Sequence, residues 1–425
     1  MRKIIAASVA GLIAAGSAHA AQGPVPVGIP PLEHVFVIMM ENHAYGQIAN
    51  NPQAPFINSL MRRANLATNY FAIAHPSNTN YLEVVGGSNF NKLSDQYPDW
   101  HNSNCVPNIV AGQVTNTDSP DSGVFCPISG KNGTDAAIPV LDNTTNETSV
   151  PPLTNINGKL SIPADTKIDG ISIADQLVWA GKSWKSYQEG LPIIGADGVN
   201  VSDGYYSIGG NNAEGQSVTS DFAALSTAAN PVSASNVVYL YAVKHNPFVY
   251  FASVQEGRNR ELSLDRVVAF EGQKGLYADL KKGTVPELAF IAPNQCNDQH
   301  GRGNGTAFCN YDADDNGTQQ GLNPSLILQG DLAVQRIETA IKASPVWREG
   351  RSAIVILWDE NDYSTLTTNQ VVLIVETNYG DHRVQSSKFY NHYSLTKTLD
   401  AAFRLPCLNH ACDANVEVMS DLFRE

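Results

Sequence analysis

The stretch His34-Val35-Phe36-Val37-Ile38-Met39-Met40, followed at once by Glu41-Asn42-His43, decides the fold. A continuous apolar run of this length is typical of a strand that is buried on both faces, as in a parallel sheet. In open α/β sheets, ligands bind just beyond the carboxyl ends of the strands. The carboxylate and the amide that follow this run therefore predict a functional site.

The same pattern occurs twice more along the chain. Residues 353–358 form an apolar run that ends in Asp359-Glu360-Asn361-Asp362. Residues 288–293 form another, and the polar residues that follow it include Asn294, Asn297, Asp298 and His300. Because the carboxyl ends of parallel strands meet at one edge of a sheet, we expect these groups to form one polar pocket. Its oxygen and imidazole groups predict a metal site.

The remaining periodicity predicts helices between the strands. Apolar residues at helical spacing predict helices over residues 55–63, 171–184, 325–343 and 393–403, and a further buried strand over 371–375. The fold class is therefore α/β, with a mainly parallel central sheet flanked by helices. Long polar stretches at 100–160, 190–235 and 300–325 predict loop insertions, which either shape the site or lie on the surface.

The first twenty residues have the features of a secretory signal. Arg2 and Lys3 precede a short apolar segment over residues 4–15, and Ala18-His19-Ala20 matches a cleavage site. A membrane anchor is the alternative, but the apolar segment is too short to span a bilayer. We predict a periplasmic or secreted protein without a stable membrane anchor. Because no linker is evident, we expect residues 21–425 to form a single domain.

The net charge limits the classes of partner. It is −14 for the whole chain, and −16 without the first twenty residues, because they contain two basic residues and no acidic ones. Such a surface repels nucleic acid and anionic membranes. It does not exclude a small phosphate ester as substrate, because the charge of a bound metal ion can dominate a pocket.

Six cysteines form three pairs that are close in sequence. An even number of cysteines in an exported chain favours disulfides. Of the fifteen possible connectivities, we predict Cys105–Cys126, Cys296–Cys309 and Cys407–Cys412. A zinc–cysteine site is disfavoured because no C-x₂-C spacing occurs.

A candidate nucleophile lies in the segment His75-Pro76-Ser77-Asn78-Thr79-Asn80-Tyr81. Ser77 stands where a helix could begin, so it faces backbone N–H groups and the positive end of the helix dipole. A simple N-cap is the alternative. A serine must be activated to attack, and the Gly-x-Ser-x-Gly signature of a catalytic triad is absent. Activation by a divalent metal is the other route. The residues that could supply it are Glu41, Asn42, Asp298, His300, Asp359, Glu360 and His392.

Five motifs together resemble a known family. In chain order they are Met40-Glu-Asn-His43, His75-Pro-Ser-Asn-Thr-Asn-Tyr81, Pro293-Asn-Gln-Cys-Asn-Asp-Gln-His300, Trp358-Asp-Glu-Asn361 and Asn391-His-Tyr-Ser394. They resemble landmarks of the bacterial and fungal phosphoesterase family, which includes secreted acid phosphatases and phospholipases C. The resemblance extends over about residues 33–408, and it implies a fold similar to the alkaline phosphatase superfamily.

The resemblance also implies roles for individual residues. Ser77 matches the nucleophile of the acid phosphatases. Four residues match metal ligands or their neighbours: Glu41, Asn42, Asp359 and Glu360. Three match groups that bind phosphate, ligate a second metal or protonate the leaving oxygen: Asp298, His300 and His392. His75 and Asn80 belong to the nucleophile motif, and His245 in Lys244-His245-Asn246-Pro247 matches a phosphate contact. Superfamily members often have histidine where Glu360 stands, so the identity and number of metals stay open.

The sequence therefore predicts a secreted, metal-dependent acid phosphatase. Ser77 would attack a phosphomonoester and form a phosphoserine intermediate, and His392 or His300 would protonate the leaving oxygen. One alternative is a phospholipase C that acts on diesters. Another is a non-catalytic secreted binding protein with the same fold. The natural substrate, the pH optimum and the oligomeric state stay open.

Overall fold

An eight-stranded sheet lies at the centre of the fold. The computed structural model describes residues 22–75, 77–90, 92, 108–110, 113–115, 168–191, 205–207, 237–239, 241–257, 259–301, 309–313, 317–361 and 369–425. The strands of the whole structure, in chain order, are β1 (His34–Met40), β2 (Asn65–Ala67), β3 (Tyr70–Phe71), β4 (Asn108–Val110), β5 (Gln113–Thr115), β6 (Trp184–Gln188), β7 (Tyr205–Ser207), β8 (Val237–Tyr239), β9 (Val267–Ala269), β10 (Leu288–Ala292), β11 (Ser352–Trp358), β12 (Leu373–Thr377), β13 (Gln385–Ser386) and β14 (Tyr390–Asn391).

The sheet is mainly parallel, as the sequence predicted. Its strand order is β13-β2-β12-β11-β1-β10-β6-β9, and β11, β1, β10, β6 and β9 all run parallel. β12 is antiparallel to both of its neighbours. The pairs β3–β14, β4–β5 and β7–β8 form separate two-stranded sheets. The three strands that the apolar runs predicted, β11, β1 and β10, are therefore adjacent in space.

After their first residues, β1 and β11 are wholly apolar, and so is β10, as expected of strands that are covered on both faces. Every residue of β11 and β10 is buried, and β1 is buried from Val35 to Met40. Met40 lies opposite Trp358, and Ile38 lies opposite both Ile291 and Ile356. This register places the carboxyl ends of β1 and β11 side by side, and Glu41 and Asp359 follow those two strands directly.

Helices flank the sheet in two groups. They are α1 (Tyr45–Ile48), α2 (Pro55–Arg63), α3 (Ser77–Gly86), α4 (Ile173–Trp179), α5 (Ala252–Glu256), α6 (Leu276–Lys282), α7 (Pro324–Ala343) and α8 (His392–Phe403). Short 3₁₀ turns occur at Val243–His245, Pro247–Tyr250, Leu264–Arg266, Pro345–Arg348, Asn409–Cys412 and Ser420–Leu422. α7 packs against α2 and α6, whereas α3 packs against α8 and α4.

Local sequence explains where the longer helices begin. Asn323 caps α7 by accepting a hydrogen bond from the backbone of Ser325, and Pro324 occupies the first helical position. Asn391 caps α8 in the same way. The helices predicted over residues 55–63, 325–343 and 393–403 are confirmed to within one residue at each end.

The helix predicted over residues 171–184 is too long at both ends, because α4 begins only at Ile173. α4 ends at Trp179, and the chain then enters β6 at Trp184. Gly181 adopts φ 72° there. The backbone N–H of Lys182 donates to the carbonyl of Leu177 at 2.7 Å, and that of Gly181 donates to Val178. A left-handed glycine with these two bonds terminates a helix, and it turns the chain into the sheet.

Two of the predicted disulfides are present. Cys296 pairs with Cys309, and Cys407 pairs with Cys412. Cys105 and Cys126 lie outside the described residues, as does the leader predicted over residues 1–20. Within the described part of the chain, no helix has the length and apolar character needed to cross a membrane.

Candidate active site

The loops after three strands converge on one cluster of buried polar residues. The backbone N–H of Glu41, after β1, donates to the carbonyl of Asp298 at 2.8 Å, and that of Asp359, after β11, donates to Met40 at 2.9 Å. The second of these bonds continues the pairing of β1 with β11, and the first reaches a residue beyond the end of β10. They join the loop after β10 to the ends of β1 and β11, so the polar residues of all three loops lie together.

Ser77 lies between two carboxylates. It is the first residue of α3 and is buried. Its Oγ lies 3.0 Å from Oε2 of Glu41 and 3.1 Å from Oε1 of Glu360. A hydroxyl has one proton, so it donates to one of these oxygens at a time. The proton of Ser77 therefore has an acceptor on either side, and its oxygen lies at the positive end of a helix.

His75 and Asn80 hold Glu360 in place. Nδ1 of His75 lies 2.8 Å from Oε2 of Glu360, and Nδ2 of Asn80 donates to the same oxygen at 3.1 Å. Oδ1 of Asn80 also accepts from the backbone N–H groups of Ile73 and Ala74. One oxygen of Glu360 is thereby fixed, and the other is directed at Ser77.

Asn42 joins the ends of β1 and β11. Its backbone adopts φ 55°, a left-handed conformation that asparagine tolerates better than most residues. Its N–H donates to Oδ1 of Asp359 at 3.1 Å. The tight turn after Glu41 thus places residue 42 beside Asp359, as the sequence predicted for a shared pocket.

Glu41, Asp359 and Glu360 form what we call the carboxylate cluster. All three are fully buried, and one oxygen of each lies within 4.8 Å of the others. Burial, together with the charges of Glu41 and Glu360, raises the pKa of Asp359 well above its usual value. Oδ2 of Asp359 is buried and has no hydrogen-bond partner among the described residues. Hard divalent cations prefer such a set of oxygen ligands.

Glu41, His245 and His300 form a second group with the same spacing, the histidine cluster. Nε2 of His245 lies 3.0 Å from Oε1 of Glu41, and Nδ1 lies 3.1 Å from Oδ2 of Asp298. Burial alone would lower the pKa of His245, but the two carboxylates outweigh it and raise the pKa to about 9. His245 is therefore an imidazolium with both nitrogens facing acids.

The two carboxyl partners of His245 differ in their acidity. Burial would raise the pKa of Glu41, but the charges of His245, His300 and Lys244 outweigh it and lower the pKa to about 2. Burial raises the pKa of Asp298 to about 7 despite its contact with His245. Oδ1 of Asp298 accepts from the backbone of His300 at 2.7 Å. Glu41 is thus the ionised partner of the imidazolium.

His392 lies behind Asp359. Its Nε2 lies 2.7 Å from the carbonyl oxygen of Asp359, and its Nδ1 lies 2.8 Å from the hydroxyl of Tyr70. The carbonyl can only accept, so Nε2 carries the proton and Tyr70 donates to Nδ1. Burial lowers the pKa of His392 to about 4. This geometry suits a residue that positions Asp359, whereas proton donation needs a ring that is ionised at the working pH.

Sequence reasoning missed three residues of the site. Nζ of Lys244 lies 2.9 Å from Nε2 of His300. The ring of Tyr81 stacks on that of His245 with centroids 5.2 Å apart. Tyr70 contacts His392. Lys244 and Tyr81 each lie in a motif that was singled out for a neighbouring residue. Tyr70 gives no sequence signal, because its contact depends on the pairing of β3 with β14.

The chain belongs to the Phosphoesterase family, whose model matches residues 48–406. A phosphate-repressible acid phosphatase of Penicillium chrysogenum is 22% identical over 363 residues, which are 85% of this chain and 57% of that protein. A probable acid phosphatase of Kluyveromyces lactis is 22% identical over 385 residues, 90% of this chain and 61% of that protein. The chain thus spans about three fifths of the length of these fungal relatives.

Two further proteins are similar over different extents. A phosphatidylinositol-3-phosphatase of Mycobacterium tuberculosis is 34% identical over 110 residues, which are 24% of this chain and 36% of that protein. A solved structure from Vibrio parahaemolyticus, described as a protein in the alkaline phosphatase superfamily, aligns with 92% of this chain and 72% of its own. Its TM-score is 0.45 and its sequence identity is 9%.

Proposed function

We propose that this protein is a metal-dependent acid phosphatase that hydrolyses phosphomonoesters through a phosphoserine intermediate. One observation carries the proposal: Oγ of Ser77 lies 3.0 and 3.1 Å from two carboxylates of one buried cluster. Membership of the Phosphoesterase family and similarity to fungal acid phosphatases support it. A structural serine would not need two buried acids within hydrogen-bonding distance, because burying charge is costly.

The carboxylate cluster fits a divalent cation. Three buried acids within 4.8 Å repel one another, and Oδ2 of Asp359 lacks a hydrogen-bond partner among the described residues. Glu41, Asp359 and Glu360 would hold the ion, with Asn42 beside them. A bound divalent cation lowers the pKa of a serine hydroxyl and offsets charge on phosphoryl oxygens.

The chain's own residues supply the remaining steps. Ser77 passes its proton to Glu41 or Glu360 and attacks phosphorus in line, so that the Oγ–P bond forms as the ester P–O bond breaks. His75 and Asn80 orient Glu360 for this transfer. The proton for the leaving oxygen comes from the histidine cluster, where His245 is ionised, rather than from His392. Water then hydrolyses the phosphoserine.

The test is turnover of p-nitrophenyl phosphate from acid to alkaline pH, with chelator and with divalent metal restored. We expect activity in the wild type, its loss with chelator, and its loss in Ser77→Ala. Ser172→Ala is the matched control, because Ser172 is also buried at a helix start but caps α4. It should keep full turnover and lose about 1 kcal/mol of stability. Near-full turnover in Ser77→Ala would disprove the mechanism.

The choice of monoesters rests on the motif around His75, Ser77 and Asn80 and on the acid phosphatase relatives. Comparing turnover of p-nitrophenyl phosphate with that of phosphatidylcholine separates the two ester classes. Faster release from the diester would favour a phospholipase C. The proposed periplasmic or secreted location is tested by sequencing the N-terminus of the mature protein, where Ala21 is the expected first residue.

A further inference from the structure

Asp298 and His300 come from one short loop, and the residue between them contacts other elements of the fold. Oδ2 of Asp298 lies 3.1 Å from Nδ1 of His245, and the rings of His300 and His245 have centroids 5.4 Å apart. Gln299 is fully buried, and its side-chain amide contacts α7 and β11. The contacts that hold Gln299 therefore also bear on where its two neighbours lie.

Both polar atoms of the Gln299 amide have partners of fixed character. Nε2 donates to the carbonyl of Ile327 in α7 at 2.9 Å, and Oε1 accepts from Nε1 of Trp358 at 2.9 Å. A carbonyl can only accept and an indole N–H can only donate, so the amide has one possible orientation. Trp358 ends β11 and directly precedes Asp359. The amide thereby connects the loop to a helix on one side and to the end of a site strand on the other.

The backbone of Gln299 has a conformation that its residue type disfavours. Its φ is 80°, in the left-handed region that is uncommon for residues with a Cβ. Such conformations persist at functional sites where the surrounding structure holds them. Here the two side-chain hydrogen bonds supply that support, and the N–H of His300 donates across the turn to Oδ1 of Asp298 at 2.7 Å. Loss of the side-chain bonds should therefore let the turn relax and move both neighbours.

α7 has a glycine where the side chain of Gln299 crosses it. A Cβ at Gly330 would lie 2.3 Å from Cγ, 2.6 Å from Cδ and 2.6 Å from Nε2 of Gln299. A glycine inside a helix is destabilising relative to alanine, so its presence there needs a reason. The close approach supplies one, because the atoms that a Cβ would displace are buried and hydrogen-bonded to Ile327.

We propose that Gln299 is a positioning residue for Asp298 and His300, and that Gly330 is the residue of α7 that makes room for it. The amide fixes the turn, and the turn directs the two neighbours towards His245. A misplacement of about 1 Å at a catalytic group can cost about 100-fold in rate. This inference rests on the proposed function, because it assumes that the histidine cluster protonates the leaving oxygen.

The experiment measures kcat/KM for phenyl phosphate and for p-nitrophenyl phosphate in Gly330→Ala, in Gln299→Ala and in the double variant. We expect kcat/KM for phenyl phosphate to fall about 10- to 100-fold in each single variant. The fall should be smaller for p-nitrophenyl phosphate, because p-nitrophenolate is a better leaving group and depends less on a proton donor. A general loss of folded protein would lower both rates by the same factor.

The double variant tests whether the two residues act through one contact. Gln299→Ala removes the Cγ that a Cβ at position 330 would meet, so Gly330→Ala should cost no further turnover in that background. Gly330→Ala should lower the melting temperature of the wild type and raise that of Gln299→Ala, where only the gain in helix propensity remains. Gly46→Ala is the matched control and should keep wild-type turnover, because a Cβ at Gly46 in α1 meets nothing within 4 Å.

The outcomes separate this inference from the proposed function. If the wild type hydrolyses both esters and the two single variants keep its kcat/KM, the inference is overturned and the proposed function stands. Equal falls for the two esters, or the same further loss from Gly330→Ala in both backgrounds, would also overturn it. If the metal-loaded wild type hydrolyses neither ester, both fall. Gln299→Met, which keeps the volume and loses both hydrogen bonds, provides the same comparison of esters if Gly330→Ala does not fold.

Discussion

The carboxylate cluster and the histidine cluster share Glu41, and both bring three ligand atoms within 4.8 Å in a buried setting. They differ in the contacts that their polar side-chain atoms make. In the carboxylate cluster, repulsion raises the pKa of Asp359, and one of its oxygens has no described hydrogen-bond partner. In the histidine cluster, every ring nitrogen faces a carboxylate, a carbonyl or an ammonium.

From this difference we infer that the carboxylate cluster is the better candidate for a metal site, although the ligand atoms of both clusters are equally close. A bound cation stabilises a buried cluster when it offsets repulsion between acids or accepts a lone pair that has no hydrogen-bond donor. The carboxylate cluster offers both. In the histidine cluster, by contrast, the His245 imidazolium lies between two acids, with its nitrogens 3.0 and 3.1 Å from oxygens of Glu41 and Asp298. Glu41 joins the two, so it can contact a cation with one oxygen while the other contacts an imidazolium.

The largest effect should come from Asp359→Asn. We expect metal affinity to fall at least about 100-fold and turnover to fall with it, because the change removes a ligand rather than a neighbour of one. In chelator, however, the variant should melt at a higher temperature than the wild type, since it relieves repulsion among Glu41, Asp359 and Glu360. Metal titration and melting curves with and without metal measure both.

His300→Gln is the corresponding substitution in the histidine cluster. Its metal affinity should stay within a few-fold of wild type, while its KM rises. If His300→Gln lost metal as completely as Asp359→Asn, the distinction between the two clusters would be wrong.

A smaller effect is expected from His392 and Tyr70, which support Asp359 of the carboxylate cluster. His392→Gln and Tyr70→Phe should each lower metal affinity or turnover about 10- to 100-fold, because they loosen Asp359 without removing it. The shape of the pH–rate profile should stay the same in both. Disappearance of one limb of the profile in His392→Gln alone would instead identify that histidine as the proton donor.

The smallest effect concerns Asp400, a buried acid outside both clusters. Burial raises the pKa of Asp400 well above its usual value, despite a hydrogen bond from the backbone of Leu408 and the charge of Lys397. Its folded form therefore resists ionisation. Wild-type stability should be intact below the unfolded pKa of about 3.9 and should fall as pH rises towards the folded pKa. Asp400→Asn should not show this fall and should gain about 1–3 kcal/mol at neutral pH.

Asp421 is the control of opposite sign. Burial would raise its pKa, but hydrogen bonds from Ser386 and Tyr390 outweigh that effect and lower it. Its contribution is present above the unfolded pKa and is lost as pH falls through the folded one. Asp421→Asn should therefore destabilise at neutral pH and match the wild type in strong acid. Urea titrations of both variants across pH would show parallel trends if these environments were misjudged.

Sequence alone predicts the frame of the site because parallel strands must end at one edge. The apolar runs of β1, β10 and β11 predict that Glu41, Asp298 and Asp359 lie close together, and the strand order agrees. It could not predict β6, because the helical periodicity continues past Trp179 and only the conformation of Gly181 ends the helix. Periodicity describes faces of an element and says little about where the element stops.

The finer roles depend on contacts between distant residues. Whether His392 donates a proton or holds Asp359 depends on Tyr70, which lies more than 300 positions away and reaches it through β3 and β14. Which nitrogen of His300 carries a proton depends on the carbonyl of Gly301, which lies 2.7 Å from its Nδ1. Such assignments follow from hydrogen bonding and have no pattern in the sequence.

The disulfide between Cys296 and Cys309 should give the two clusters different sensitivity to redox conditions. Asp298 and His300 lie between these cysteines in the chain, whereas Glu41, Asp359 and Glu360 do not. A thiol reductant should therefore weaken phosphate inhibition before it weakens metal binding, and titrating both against dithiothreitol would measure the gap. With the proposed export from a reducing cytosol, the loop of Asp298 and His300 would reach its final form only after oxidation, when the proposed metal ligands are already in place.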